Sequence, residues 1–276
     1  MVELFKIGHF SIYLFGVTIA LGMLAGIFIM SREAKRKGLN ADKMFDLALY
    51  TILAAILGAR LYYIIAFAPG YYLKNPGEII KINAGGLSIQ GGLIGGILFA
   101  LWYTKKKEIS FWRAADAFAP GIALGQAIGR IGCDVFGIPM KKIYPWGIKV
   151  SGQILHPAQM YEMILDLILF TYLRRRRGKI KYNGELFIKY IIGFSINRAV
   201  VEIFRTNPIV INPLTIAQVT SIAIIIIALF VNRFLKSRSE ILQEDVANNT
   251  VEVPIYQYLL ILALAAAGMW FYYYIH

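Results

Sequence analysis

Apolar residues run through this chain in blocks longer than a globular core requires, separated by short polar stretches that are mostly basic. The blocks cover about residues 11–30, 44–67, 86–103, 114–133, 158–173, 184–204, 214–232 and 256–275. A helix needs about 20 mainly apolar residues to cross the hydrocarbon layer. The pattern therefore predicts an all-α fold, a polytopic integral membrane helical bundle with a seven-helix core and an eighth, C-terminal transmembrane helix. A transmembrane β-barrel is excluded, because its strands would alternate apolar and polar positions. The expected organisation is a core over 1–235, a cytoplasmic linker over 236–255 and an additional helix over 256–276. That last block ends in Trp270, Phe271, Tyr272, Tyr273 and Tyr274, an interfacial aromatic belt, and reads as an appendage to the core.

Charge gives the orientation. Segments 31–43, 104–113, 174–181 and 232–238 hold 18 of the 29 Lys and Arg, and the alternate connections hold seven. Basic loops stay in the cytoplasm, so the N-terminus is expected outside. Only Lys6 precedes the first block and a basic cluster follows it, the reverse of a signal peptide. A net charge of +13 would ordinarily raise the question of nucleic acid. Its confinement to short loops between spans answers it, and no nucleic-acid partner is expected. With one cysteine, Cys133, no disulfide can form within the chain.

Charged residues inside spans cost about 2.5–3.5 kcal/mol each to insert, so each is a candidate functional residue. Arg198, Glu202 and Arg205 in "INRAVVEIFR" share one helix face. An Arg198–Glu202 ion pair alone would not need the second arginine, whereas an arginine fork suits a phosphate. Gly121, Gly125 and Gly129 form a small-residue stripe that lets another helix approach closely, and Arg130 follows it. Arg60 in "GARLYY" is expected to pair with an acid in the bundle. The segment "GGLSIQGGLIGG" is too rich in glycine for a stable helix start; it is expected to be a broken or re-entrant entry from which Gln90 projects, with Gly91 and Gly92 beside it. "LHPAQMYE" carries His156, Gln159, Tyr161 and Glu162, with Asp166 one turn further on. Glu162 and Asp166 could neutralise the arginines or take part in chemistry.

Taken in order, "GARLYY", "GGLSIQGGLIGG", "GRIG", "HPAQMYE", "INRAVVEIFR" and "LTIAQ" resemble the prolipoprotein diacylglyceryl transferases of bacterial cytoplasmic membranes, from about Phe15 to about Phe234. The resemblance implies an enzyme of the inner membrane. It would move a diacylglyceryl group from phosphatidylglycerol to the thiol of a lipobox cysteine in a prolipoprotein, releasing glycerol phosphate, with no metal or organic cofactor. It implies catalytic roles for Arg130, Arg198 and Glu202. Contacts to phosphatidylglycerol would come from Arg130, Arg198, Arg205, Gln90, Gly91, Gly92 and His156.

Four positions depart from the family pattern. Phe15 replaces a tyrosine, Gln90 a histidine, Cys133 an asparagine and Ile138 a glutamate. Glutamine cannot act as a general base at neutral pH, so a mechanism using that histidine does not carry over. The thiol nucleophile belongs to the substrate, and Cys133 reads as a small packing residue. Two other readings stand beside the transferase: a homologue that uses a different acceptor, and a non-catalytic lipid-binding or lipid-translocating protein.

Overall fold

The computed structural model describes residues 2–8, 10–81, 85–205, 207–238 and 254–275; most of the expected linker, with its four acidic residues, lies outside them. Among the described residues, eight helices of 17 residues or more coincide with the eight expected spans. They are α1 (Leu14–Arg36), α2 (Ala41–Phe67), α4 (Ile89–Lys106), α5 (Phe111–Ile131), α6 (Ala158–Arg176), α7 (Glu185–Val201), α8 (Ile216–Arg238) and α9 (Ile255–Ile275), with a short α3 (Pro69–Lys74) after α2. Also among the described residues, three two-stranded antiparallel hairpins occupy the N-terminus and two connections: β1 (Glu3–Ile7) with β2 (Phe10–Tyr13), β3 (Ile148–Val150) with β4 (Gln153–Leu155), and β5 (Ile209–Ile211) with β6 (Leu214–Thr215).

Helix ends differ from the apolar blocks for a physical reason. α1, α4, α6 and α8 continue into Lys35 and Arg36, Lys105 and Lys106, Arg174 to Arg176, and Lys236 and Arg238. Cations suit a helix C-terminus, where they face its negative dipole end. α1 begins at Leu14 rather than near residue 11, because residues 10–13 pair with β1 instead. By length and composition α1, α2, α8 and α9 are each able to cross a membrane. The others are shorter or more polar, and α5, α6 and α7 carry the charges of the candidate site. This is an all-α, multi-pass membrane protein.

The helices form two compact units, residues 31–114 and residues 1–30 with 115–276. In the first of these, α2 and α4 pack through Gly58 and Gly91, where a β-carbon on either would collide with the other's backbone. Residues 85–88 are non-helical, and α4 starts at Ile89 with the Ser88 N–H bonded to the carbonyl of Ala59. The break is confined to residues 85–88; Gln90, Gly91, Gly92, Gly95 and Gly96, expected in or beside the break, lie in regular helix, because the close α2–α4 contact needs glycine at Gly91 and Gly95. Arg60 differs from expectation: among the described residues it pairs with no acid. Its guanidinium donates to the carbonyls of Glu78, Ile79, Lys81, Gly85 and Gly86 at 2.6–3.2 Å. Gly85 and Gly86 have positive φ, which turns their carbonyls inward. Five neutral acceptors do for this cation what one carboxylate was expected to do, and they tie the chain after α3 to α2.

In the other unit the stripe on α5 meets α1. A β-carbon on Gly26 would lie 2.9 Å from the carbonyl oxygen of Gly121, and Gly22 abuts Gly125 just as closely. α6 is the central element, burying Met160, Met163, Leu167 and Leu173 together with the polar Gln159, Glu162 and Asp166. α9 runs antiparallel to it. Arg174 at the end of α6 donates to the Gln257 side chain at 2.7 Å, and fully buried Tyr272 meets the Gln159 amide at the other end. Gly268 allows this contact, since a β-carbon there would lie only 3.0–3.1 Å from Ile131 and Met163. The last helix is therefore packed into this unit more closely than an appendage.

Candidate functional site

α5, α6 and the end of α7 converge on a cluster of arginines over two buried carboxylates. Glu162 is its hub. Its Oε1 accepts from Arg130 Nη2 at 2.6 Å, and its Oε2 lies 3.7 Å from Arg205 Nη1. Arg198 Nη2 lies 3.1 Å from Glu202 Oε2, while Glu202 Oε1 accepts from Asn207 at 2.6 Å and Thr215 at 3.0 Å. The carboxylate side chains are at most 1% exposed, whereas Arg130, Arg198 and Arg205 keep 28, 24 and 14%. The acids thus sit below and the cations above. Each guanidinium has five N–H donors, and the two acids engage only part of that capacity.

The local folding explains the geometry. Arg198 and Glu202 are one turn apart where α7 gives way to a 3-10 turn at Glu202–Phe204. That tightening ends in Arg205, whose backbone is extended; its side chain leaves the helix and turns toward α6. Burial beside Arg198 pulls the Arg205 guanidinium below its ordinary value, and Glu162 opposes this. An arginine so placed still stays charged at neutral pH. Asp166, one turn below Glu162, accepts from Asn197 at 3.1 Å through Oδ1. Cys133 is buried with its sulfur 3.8 Å from Arg130 Nη1, small enough to leave that guanidinium its place.

Above the cluster lies an aromatic layer. His156 Nδ1 is 3.1 Å from the Tyr161 hydroxyl, which accepts from Trp146 Nε1 at 3.0 Å. Both the His156 and the Tyr161 ring lie 5.1 Å from that of Phe204. Residues 137–138 thread between, Gly137 donating to the carbonyl of His156 and Ile138 to that of Phe204. Ile138, where the family carries glutamate, enters this lattice through its backbone.

Of the residues singled out by sequence, the fold brings Arg130, Arg198, Glu202, Arg205 and His156 into one neighbourhood. Gln90, Gly91 and Gly92 belong to the other unit. There Gln90 Oε1 accepts from Ser88 Oγ at 2.6 Å, Gly91 packs on Gly58, and Gly92 meets only ordinary contacts. Asn207, Thr215 and Trp146 went unrecognised. Thr215 stands in "LTIAQ", a usable signal, whereas nothing in the local sequence marks Asn207 or Trp146.

Fold and site together define a multi-pass membrane protein with an arginine cluster suited to an oxyanion. A model of the prolipoprotein diacylglyceryl transferase family matches residues 2–233. The phosphatidylglycerol–prolipoprotein diacylglyceryl transferase of Bacillus mycoides (strain KBAB4) is 38% identical over 241 residues, 81% of this chain and 88% of its own length. The protein of that name from Bacillus cytotoxicus is 39% identical over 240 residues, 81% of this chain and 87% of its own. The chain belongs to the prolipoprotein diacylglyceryl transferase family and is a transferase. α9 lies beyond the stretch that the family model matches.

Proposed function

We propose that the protein transfers the diacylglyceryl group of phosphatidylglycerol to the thiol of a prolipoprotein lipobox cysteine and releases glycerol phosphate. The single observation that carries this reading is the pair of arginines on Glu162, with Arg198 on Glu202 beside them, each guanidinium still partly open. Each of the three guanidiniums has N–H donors to spare for the oxygens of a phosphodiester. In the reaction, a sulfur–carbon bond forms at the glyceryl carbon as its bond to the phosphate oxygen breaks. The bond pair leaves on that oxygen, and the thiol proton passes to the departing phosphate or to water. Arginine donors held in place by buried acids stabilise the growing charge on the leaving group without reorganising. Arg130 and Arg198 are the principal donors and Glu202 fixes Arg198. The family resemblance adds Arg205 and His156 as contacts to the lipid.

The protein would sit in the bacterial cytoplasmic membrane with its N-terminus and the three hairpins outside, where a secreted prolipoprotein presents its cysteine. Residues 1–235 form the transferase core, 236–255 link it on the cytoplasmic side, and the last helix returns the chain to the outside. The test is purified protein with headgroup-labelled phosphatidylglycerol and a lipobox peptide. Labelled glycerol phosphate should appear together with a thioether-modified peptide, and a Cys→Ser peptide should yield neither. Lipid binding without product would instead favour the non-catalytic alternative.

A further inference from the structure

We propose that α9 is a working part of this site. Through Tyr273 it holds Trp146, Tyr161 and His156 as a shelf that reads the headgroup of the donor lipid. The inference rests on the donor assignment made above.

The end of α9 is anchored beside the start of α6. Gly268 sits against Ile131 and Met163, and fully buried Tyr272 meets Gln159, three residues before Glu162. The next residue points elsewhere: the Tyr273 hydroxyl donates to the backbone carbonyl of Trp146 at 2.7 Å. Trp146 Nε1 in turn donates to the Tyr161 hydroxyl at 3.0 Å, and that hydroxyl meets His156 Nδ1 at 3.1 Å. The tyrosine oxygen accepts from Trp146 and keeps its proton and a second lone pair, so it pairs with either tautomer of the imidazole. A single hydrogen-bonded chain therefore runs from the last turn of α9 to two rings packed on Phe204, the neighbour of Arg205. Tyr144 stacks on Trp146 with ring centroids 4.7 Å apart, so the indole is held from one face as well.

A lipid phosphate on the arginines would extend its acyl chains along the bilayer and its headgroup toward the loop that carries Trp146. With the indole N–H spent on Tyr161 and His156 Nδ1 engaged by that hydroxyl, the shelf offers the free imidazole Nε2 and the remaining hydrogen-bonding capacity of the phenol oxygen, which suit a neutral polyol. The three arginines below it oppose an ammonium headgroup. The chemistry therefore fits an uncharged glycerol headgroup over ethanolamine, and Tyr273 acts as a positioning residue for that choice.

The test uses the full chain with Tyr273→Phe, which keeps the ring and removes one hydrogen bond at a partly exposed position. Transfer to a lipobox peptide is measured with phosphatidylglycerol and with phosphatidylethanolamine, alongside thermal denaturation in detergent with each lipid. The melting temperature should stay near that of the parent, while the preference for phosphatidylglycerol falls about fivefold, the worth of one hydrogen bond. Tyr272→Phe serves as a control: it strands the buried Gln159 amide and should lower stability while leaving the preference unchanged. An unchanged preference in Tyr273→Phe overturns the proposal, as does an equal loss with both lipids. If the parent protein transfers from neither lipid, the donor assignment itself fails. The lipid-dependent rise in melting temperature then decides: a selective loss of the phosphatidylglycerol effect in Tyr273→Phe supports the shelf, and no change refutes it.

Discussion

Glu162→Gln tests the heart of the site, because one nearly isosteric change removes the charge that two arginines share. The amide oxygen can still accept from Arg130, but the amide nitrogen then confronts Arg205, donor against donor. At an effective dielectric of about 20 and a charge separation of about 4 Å, one such pair is worth roughly 4 kcal/mol before desolvation. Holding a carboxylate in a site only 1% exposed offsets much of that, and Arg130, with 28% of its side chain open, is partly screened. The expected net loss is about 1–3 kcal/mol, and at about 2–4 °C per kcal/mol for a chain near this size the melting temperature in detergent should fall by roughly 2–12 °C. Activity should fall further than stability does. Misplacing a positioned group by about 1 Å can cost up to a hundredfold in rate, and both Arg130 and Arg205 lose their anchor. The affinity for the lipid should not weaken, because removing an acid leaves the cluster more positive. The assay is transfer from labelled phosphatidylglycerol over a range of lipid concentration, beside thermal denaturation: a lower kcat with KM unchanged or reduced is the expected result. A Glu162→Gln protein with the parent's melting temperature and kcat would show that Glu162 is not the hub. A KM that rises with kcat intact would show that it binds substrate rather than placing the arginines.

Arg198→Lys keeps the charge 3.1 Å from Glu202 in reach but replaces a planar fork with a point charge; it should insert and melt normally and lose about tenfold or more in kcat/KM, and full activity would reduce the residue to a structural ion-pair partner. Gly91→Ala drives a β-carbon into the backbone of Gly58 and should destabilise by about 1–3 kcal/mol. Gly92→Ala, with 3.4 Å to the nearest atom, should be neutral in stability, so a stable but inactive Gly92→Ala protein would assign that glycine to lipid contact. Gln90 makes one hydrogen bond, to Ser88; Gln90→Ala should cost far less activity in the transfer assay than Arg198→Lys, and Gln90→His should preserve or raise it. A reporter fused after His276 should be accessible from outside the cell, since α9 runs antiparallel to α6; cytoplasmic accessibility alone would mean that residues 255–275 do not span.

The aromatic chain from Tyr273 to His156 shows where sequence reading stops. Each member sits in a segment that looks ordinary by itself: a belt at a helix end, a loop, a helix entrance. Only packing α9 on α6 places them within hydrogen-bond reach. Arg60 is a second instance. A mid-helix arginine in apolar sequence demands a partner, and the demand was legible. The partner was not, because backbone carbonyls are present at every residue, and only the folded backbone at residues 78–81 and 85–86 aims five of them at one guanidinium.

Quantities that depend on composition along one line were legible before any packing: the eight helices, and the residues too polar for hydrocarbon that had to find a site. Solvation in lipid is paid segment by segment, so each apolar block and each misplaced charge declares itself locally. Family membership was also legible, through the order of motifs from "GARLYY" to "LTIAQ". Tertiary structure alone decided the pairings. Glu162 rather than Asp166 receives the two arginines, Asn207 and Thr215 hold Glu202, and the last helix joins the unit that carries the site. These are choices among several chemically equivalent partners, and such a choice is made by distance, which exists only once the helices have packed.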